Sequence, residues 1–132
     1  MEILLDTHVL LWALFDDQKI NKKIRELLLD SNNDVFYSIA SIHEIEIKHL
    51  KHPELMPYSA KDILNVIVGK TDYKMLPIRV EYILGLKELF DEKRHQDPFD
   101  HLIMATAKNE GMALVTHDIQ VEQYDNIDIL KC

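Results

Sequence analysis

Cysteine is almost missing from this sequence: the single thiol is Cys132, so neither a disulfide nor a thiolate metal cluster can form within one chain. A reducing, cytoplasmic setting is the expectation. Long apolar runs are missing too. The longest, VLLWALF at residues 9–15, falls far short of the roughly 20 residues that cross a bilayer. No basic stretch marks the N-terminus as a signal peptide, so neither export nor membrane insertion is expected. Positive charge is scarce, with 15 Lys and Arg against 23 Asp and Glu and a net charge of -8. That balance argues against a protein that coats nucleic acid through a broad basic face. It leaves room for a nuclease, because an acidic pocket that binds divalent cations has a local field of its own. Basic residues cluster in KHLKH at 48–52, in Lys22, Lys23 and Arg25, and in KRH at 93–95, each readable as a solvated helix face. Repeats, low-complexity segments and linkers are absent. The remaining composition, 47% apolar and 29% charged over 132 residues, is that of one folded domain spanning residues 1–132.

Strand-like and helix-like patterns alternate along that domain. Ile3, Leu4 and Leu5 read as a short buried strand, followed by helical VLLWALF. Ile20, Ile24, Leu27 and Leu28 have the spacing of one helix face. VFY at 35–37 returns to strand, and helices are expected over about 39–50 and 60–68. KMLPI at 74–78 is an extended segment cut short by Pro77. Val80, Ile83, Leu84 and Phe90 mark a further helix, another starts at Pro98, ALVT at 113–116 is a strand, and NIDIL at 126–130 is the last. Repeated units of this kind predict an α/β fold of three layers, a central parallel sheet of about five strands flanked by helices.

In such sheets ligands bind beyond the carboxyl ends of the strands, and acids collect there. Asp6 directly follows the first strand and Asp118 follows ALVT by two residues. Glu44 lies in the helix after VFY, while Asp97 and Asp100 open the helix at Pro98. Each acid also has a structural reading. Asp97 before Pro98 suits a helix N-cap, with Asp100 near the positive dipole end. Ser41 and Glu44 fit a capping box, Glu44 can pair with Lys48, and Asp6 and Asp118 can each cap a helix directly after them. Capping does not require acids from distant segments to share one edge of the sheet, however. Two carboxylates about 4 Å apart repel by about 4 kcal/mol at an effective dielectric of 20. Oxygen-only ligands select Mg²⁺ or Mn²⁺ as the compensating charge.

LLDTHVLLWAL, SIASIHEIEIK, HQDPFDHLIMATA and LVTHD together resemble the PIN-domain ribonucleases, and within them the VapC-type toxins of prokaryotic toxin–antitoxin pairs. The resemblance covers essentially the whole chain, and HQDPFD joined to LVTHD is its most specific part. It implies that Asp6, Glu44, Asp100 and Asp118 are the catalytic and metal-binding acids and that Mg²⁺ or Mn²⁺ is the cofactor. The implied reaction is endonucleolytic cleavage of RNA by metal-activated water in an in-line attack, leaving 5′-phosphate and 3′-hydroxyl ends. It also implies a homodimer and an antitoxin whose C-terminal segment lies in a groove; Trp12 and Phe15 are the kind of side chain that anchors an interface, and the net charge of -8 predicts a basic segment.

Two positions depart from the family pattern: His43 stands where Trp is common before the glutamate, and His101 where Arg is common after the second aspartate of DPFD. An arginine there would offer a bidentate phosphate contact. His101 and His117 are read as phosphate contacts, and His8 and His43 as packing or capping residues. Zinc held by these histidines ranks below the magnesium reading, since no HExxH-like pair is present. Two other functions compete with the nuclease. One is a PIN fold that only binds RNA or protein. The other is a receiver-like phosphoacceptor domain, which needs an aspartate after an interior strand where VFYSIA has none.

Overall fold

The computed structural model describes residues 1–90, 97–118, 120, 121, 124 and 126–132. The basic KRH cluster at 93–95 and the first two residues of HQDPFD lie outside the described residues. Five strands form one sheet: β1 (Glu2–Leu5), β2 (Asp34–Ser38), β3 (Lys74–Leu76), β4 (Ala113–Thr116) and β5 (Ile129–Lys131). The helices are α1 (Thr7–Phe15), α2 (Lys22–Leu29), α3 (Ile39–Lys51), α4 (Ala60–Lys70), α5 (Val80–Leu84) and α6 (Pro98–Glu110). Every strand pair is parallel and the order is β3-β2-β1-β4-β5.

Both faces of the sheet are buried, as expected from side chains alternating along each strand. Ile3, Leu5, Val35, Tyr37 and Val115 point into one core, with Val9 and Leu10 of α1, Ile24 of α2, Ile45 of α3 and Ile63 and Ile67 of α4. Leu4 and Leu114 point the opposite way, into a second core with Tyr82 of α5 and Ile103, Met104 and Ala107 of α6. A strand buried on both faces cannot alternate apolar with polar residues, so ILL and ALVT are continuous apolar runs. No described helix is long and apolar enough to cross a membrane.

The helix ends carry local signals. Asp6, Asn21, Ser38, Ser59 and Asp97 each accept a backbone N–H in the first turn of the helix they precede. At α3 the cap is Ser38, not the expected Ser41, because β2 runs into the helix without a loop and Ser41 is already inside it. The expected helix of Val80, Ile83, Leu84 and Phe90 differs more. It ends at Leu84 and tightens into a 3-10 turn over Gly85–Glu88. Its buried residues are Tyr82 and Leu89, while Val80, Ile83, Leu84 and Phe90 are exposed. Tyr82 wins the interior because it is the larger side chain and its hydroxyl finds a carboxylate, Oη donating to Glu110 Oε1 at 2.6 Å. The last strand starts three residues later than NIDIL, at Ile129.

Gly111 ends α6 at φ 66°, the left-handed conformation that closes a helix C-terminus before β4 begins. A Cβ built there meets nothing within 4 Å. The cost of Gly111→Ala is therefore backbone strain alone, about 1–2 kcal/mol, with Gly111→Asn costing less because asparagine tolerates that region. Urea unfolding of the two variants beside the parent checks both the size and the ranking.

Candidate active site

The strand order creates one reversal point. From β1 the sheet grows through β2 and β3 on one side and through β4 and β5 on the other, so the crevice beyond the C-terminal ends of β1 and β4 is where open α/β sheets take ligands. Asp6 and Asp118 flank it. Asp6 is 8% exposed and continues the β1 ladder, its N–H donating to the Val115 carbonyl at 3.0 Å. Its carboxylate is held twice: Oδ1 accepts from Val9 N–H at 2.8 Å and Oδ2 accepts from Thr116 Oγ1 at 2.5 Å. One aspartate therefore caps α1 and bridges two strands across the reversal.

Thr116 also ties in the next acid. Its Oγ1 accepts the Asp118 N–H at 3.0 Å, and Asp118 Oδ1 accepts the Gln120 N–H at 2.8 Å. Asp118 thus closes a turn; among the described residues no α-helix comes after it to be capped.

Glu44 reaches the same edge from α3. It is 4% exposed, and its two oxygens are divided. Thr7, the residue after Asp6, donates to Oε1 at 2.8 Å, and Lys48 Nζ approaches Oε2 at 2.7 Å. The Thr7 hydroxyl also lies 2.9 Å from Ser41 Oγ. Two buried threonines, neither identifiable as special from sequence, are therefore what join Asp6, Asp118 and Glu44. Their only sequence signal is position, one directly after Asp6 and one two residues before Asp118.

Asp100 stands in the first turn of α6, where Asp97 Oδ1 accepts from the Phe99 N–H at 2.9 Å and the Asp100 N–H at 3.2 Å. Asp97 is thus the N-cap that its place before Pro98 predicted. Helix α6 packs against α3, and the two meet where His43 sets its ring edge-on to Phe99, centroids 5.5 Å apart. Those residues immediately precede Glu44 and Asp100. His43, standing where tryptophan is common, keeps an aromatic contact between the two acid-bearing helices, in line with a packing role. His101 differs from expectation: it is buried, 6% exposed. It does not line the surface as a phosphate contact would. His117 is exposed beside Asp118, its Nδ1 2.9 Å from the Cys132 carbonyl.

The donors are oxygen atoms of carboxylates and hydroxyls, a set that suits a hard divalent cation. Burial pushes the Asp6 carboxyl up from its ordinary value, overriding the lowering by the Thr116 and Val9 hydrogen bonds. A carboxylate short of charge compensation is what an incoming cation relieves. In kind, Asp6, Glu44, Asp100 and Asp118 fit Mg²⁺ or Mn²⁺. Among the described residues no three His, Cys, Asp or Glu side chains are close enough together to hold a metal ion.

The raised Asp6 carboxyl has a consequence for stability. It binds its proton more tightly folded than unfolded, so stability falls as pH rises from the ordinary aspartate value through the folded one, and the loss persists above. Asn caps a helix as well as Asp and carries no charge to desolvate. Asp6→Asn is therefore expected to melt above the parent at pH 7 in chelator, with the difference closing below about pH 4. Thermal melts across that range, with the two proteins side by side, check the sign.

No curated protein matches this sequence. Solved structures share its fold. They include VapBC2 from Rickettsia felis bound to a DNA fragment from their promoter, with TM-score 0.74 and 18% identity over 99% of this chain and 98% of that one. DNA-bound VapBC from Salmonella typhimurium gives TM-score 0.68 and 18% identity over the same shares. VapBC-5 from Mycobacterium tuberculosis, of the VapBC family of toxin-antitoxin systems, gives 0.65 and 16%, again over 99% and 98%. The family model of the PIN domain matches residues 3–127; with that match spanning both cores and the whole acid-bearing edge, the chain belongs to the PIN-domain family.

Proposed function

We propose that this protein is a divalent-metal-dependent endoribonuclease, the toxin of a toxin–antitoxin pair. The observation that carries the reading is Asp6, buried and fastened by Thr116 at the reversal point of a PIN-type sheet. PIN domains are generally nucleases that use divalent metal ions, which supports the same assignment.

In this reading Asp6, Glu44, Asp100 and Asp118 hold Mg²⁺ or Mn²⁺. Two such carboxylates about 4 Å apart would repel by about 4 kcal/mol in an effective dielectric of 20, a cost that a bound cation would offset. A bound divalent ion supplies Lewis acidity at the phosphodiester and lowers the pKa of the attacking water. The chain's own groups set the geometry. Thr116 fixes the direction of the Asp6 carboxylate and the turn carrying Asp118. Thr7 and Lys48 fix Glu44. His117, exposed beside Asp118, is available to the RNA phosphate.

The surface suggests the partners. Met75, Ile78, Val80, Ile83 and Leu84 are exposed on β3 and α5 and between them, and an apolar face of this kind suits a homodimer. Phe15 stacks on Tyr58, centroids 4.0 Å apart and planes within 3°, and both rings remain over a third exposed. An antitoxin with a basic C-terminal segment suits that ledge and the net charge of -8, and VapBC-5 belongs to a toxin–antitoxin family. Trp12, the other expected anchor, is partly exposed between His8 and His117. The cytoplasm is the compartment where such a pair acts.

One observation favours a PIN fold that binds RNA or protein without cutting: Glu44, one of the four acids, is already paired with Lys48 at 2.7 Å. The receiver-like alternative loses support, because that fold orders its strands 2-1-3-4-5 and here the order is β3-β2-β1-β4-β5. Cleavage of single-stranded RNA separates the remaining two. Activity is expected with Mg²⁺ or Mn²⁺ and not with EDTA. Asp6→Asn and Asp100→Asn are each expected to lose at least about 100-fold, on the scale of losing a transition-state charge contact. Asp97→Asn should retain most activity, since asparagine caps nearly as well. Metal-independent cutting, or full activity in Asp6→Asn, would contradict the proposal.

A further inference from the structure

Trp12, His8 and His117 are grouped, the two histidines lying within two residues of Asp6 and Asp118; Trp12 packs in part against the core beneath α1, and that packing does not account for the two exposed histidine rings beside it. Trp12, only partly buried, lies edge-on to His117 with centroids 4.9 Å apart, and tilted to His8 at 6.4 Å. Both histidines are exposed. His117 is the neighbour of Asp118 in the chain, and His8 is two residues from Asp6. Two residues of chain span at most about 7 Å. A phosphate at the acids therefore leaves its own nucleotide, or the next one, within reach of the rings. Lys19 holds its Nζ 5.8 Å from the Trp12 ring centroid while pairing with Asp16 at 3.1 Å.

We propose that Trp12, His8 and His117 form a stacking platform that receives one unpaired nucleobase of the RNA next to the phosphate to be cut. The proposal rests on the nuclease reading of the neighbouring acids. Unpaired RNA bases are recognised by stacking on aromatic and histidine rings, and such stacking tolerates any base. A ring cluster left open to water beside an acidic site is suited to that task, since the acids cannot themselves attract a polyanion. Lys19 decides between the two ligands that stack on tryptophan. An arginine from a protein partner would meet a cation already at the ring, whereas a neutral base meets none and its phosphate gains one.

Trp12 is the sole tryptophan of the chain, so intrinsic fluorescence reports on the platform directly. The experiment titrates a short single-stranded oligoribonucleotide, and an abasic chain of equal length, into the Asp6→Asn protein, which is chosen to prevent cutting, with Mn²⁺ present. The base-bearing RNA is expected to quench Trp12 and to bind about fivefold or more tighter than the abasic chain. Adding His117→Ala should remove about that factor, while His117→Phe should keep it. Both changes delete the hydrogen bond to the Cys132 carbonyl, so a merely structural His117 would weaken both alike. Equal binding of the abasic chain, equal loss in the two variants, or quenching only by an arginine-rich peptide would overturn the platform. Cleavage by the unmutated protein is scored separately. Metal-dependent cutting without base-dependent quenching overturns the platform alone, and base-dependent quenching without cutting overturns the nuclease reading alone.

Discussion

The hydrogen bond from Thr116 Oγ1 to Asp6 Oδ2, across the ends of β1 and β4, is the constraint on which the rest of the acidic edge depends. It joins the two strands between which the sheet reverses direction, at the point where their ladder ends. Asp6 is costly there. Burial opposes its charge, and two hydrogen bonds offset only part of the penalty. A fold that keeps an under-compensated carboxylate at this end of the sheet, when an asparagine would cap α1 equally well, gains no stability from that charge.

From that bond the other acids are arranged by short polar links. Thr116 carries Asp118 through its backbone N–H. Thr7, next to Asp6, carries Glu44 and Ser41 on α3. Helix α3 in turn meets α6 at His43 and Phe99, each one residue before an acid. The threonine links are buried or partly buried and made by side chains that do not themselves ionise. Asp6 and the Asp118 turn are thereby positioned by neutral groups, whereas Glu44 is also paired with Lys48 at 2.7 Å.

Most of the architecture could be read from the residue pattern, because continuous apolar strands separated by helical spacing admit few arrangements other than a parallel sheet covered on both faces. The placement of Asp6, Asp118 and Glu44 was legible for a related reason: each follows a strand or lies in a helix that directly follows one. What pattern could not show was the pair of threonines, since a buried threonine organising two acids looks in sequence like any other. The exposed side of α5 was hidden as well. Val80, Ile83 and Leu84 have helical spacing, but Tyr82 outcompetes them for the core by size and by its bond to Glu110. His101 is buried rather than open to a phosphate, one step of about 100° along α6 from Asp100.

The central claim is that the crevice between β1 and β4 is a divalent-cation site anchored by Asp6. Anomalous scattering from crystals grown with Mn²⁺ tests it most directly. The account predicts a peak in direct ligation distance of the Asp6 carboxylate, with Asp118, Asp100 or Glu44 drawn in beside it and Thr116 still bound to Asp6. A peak confined to another part of the surface, or none at Mn²⁺ concentrations that saturate any activity, would contradict it.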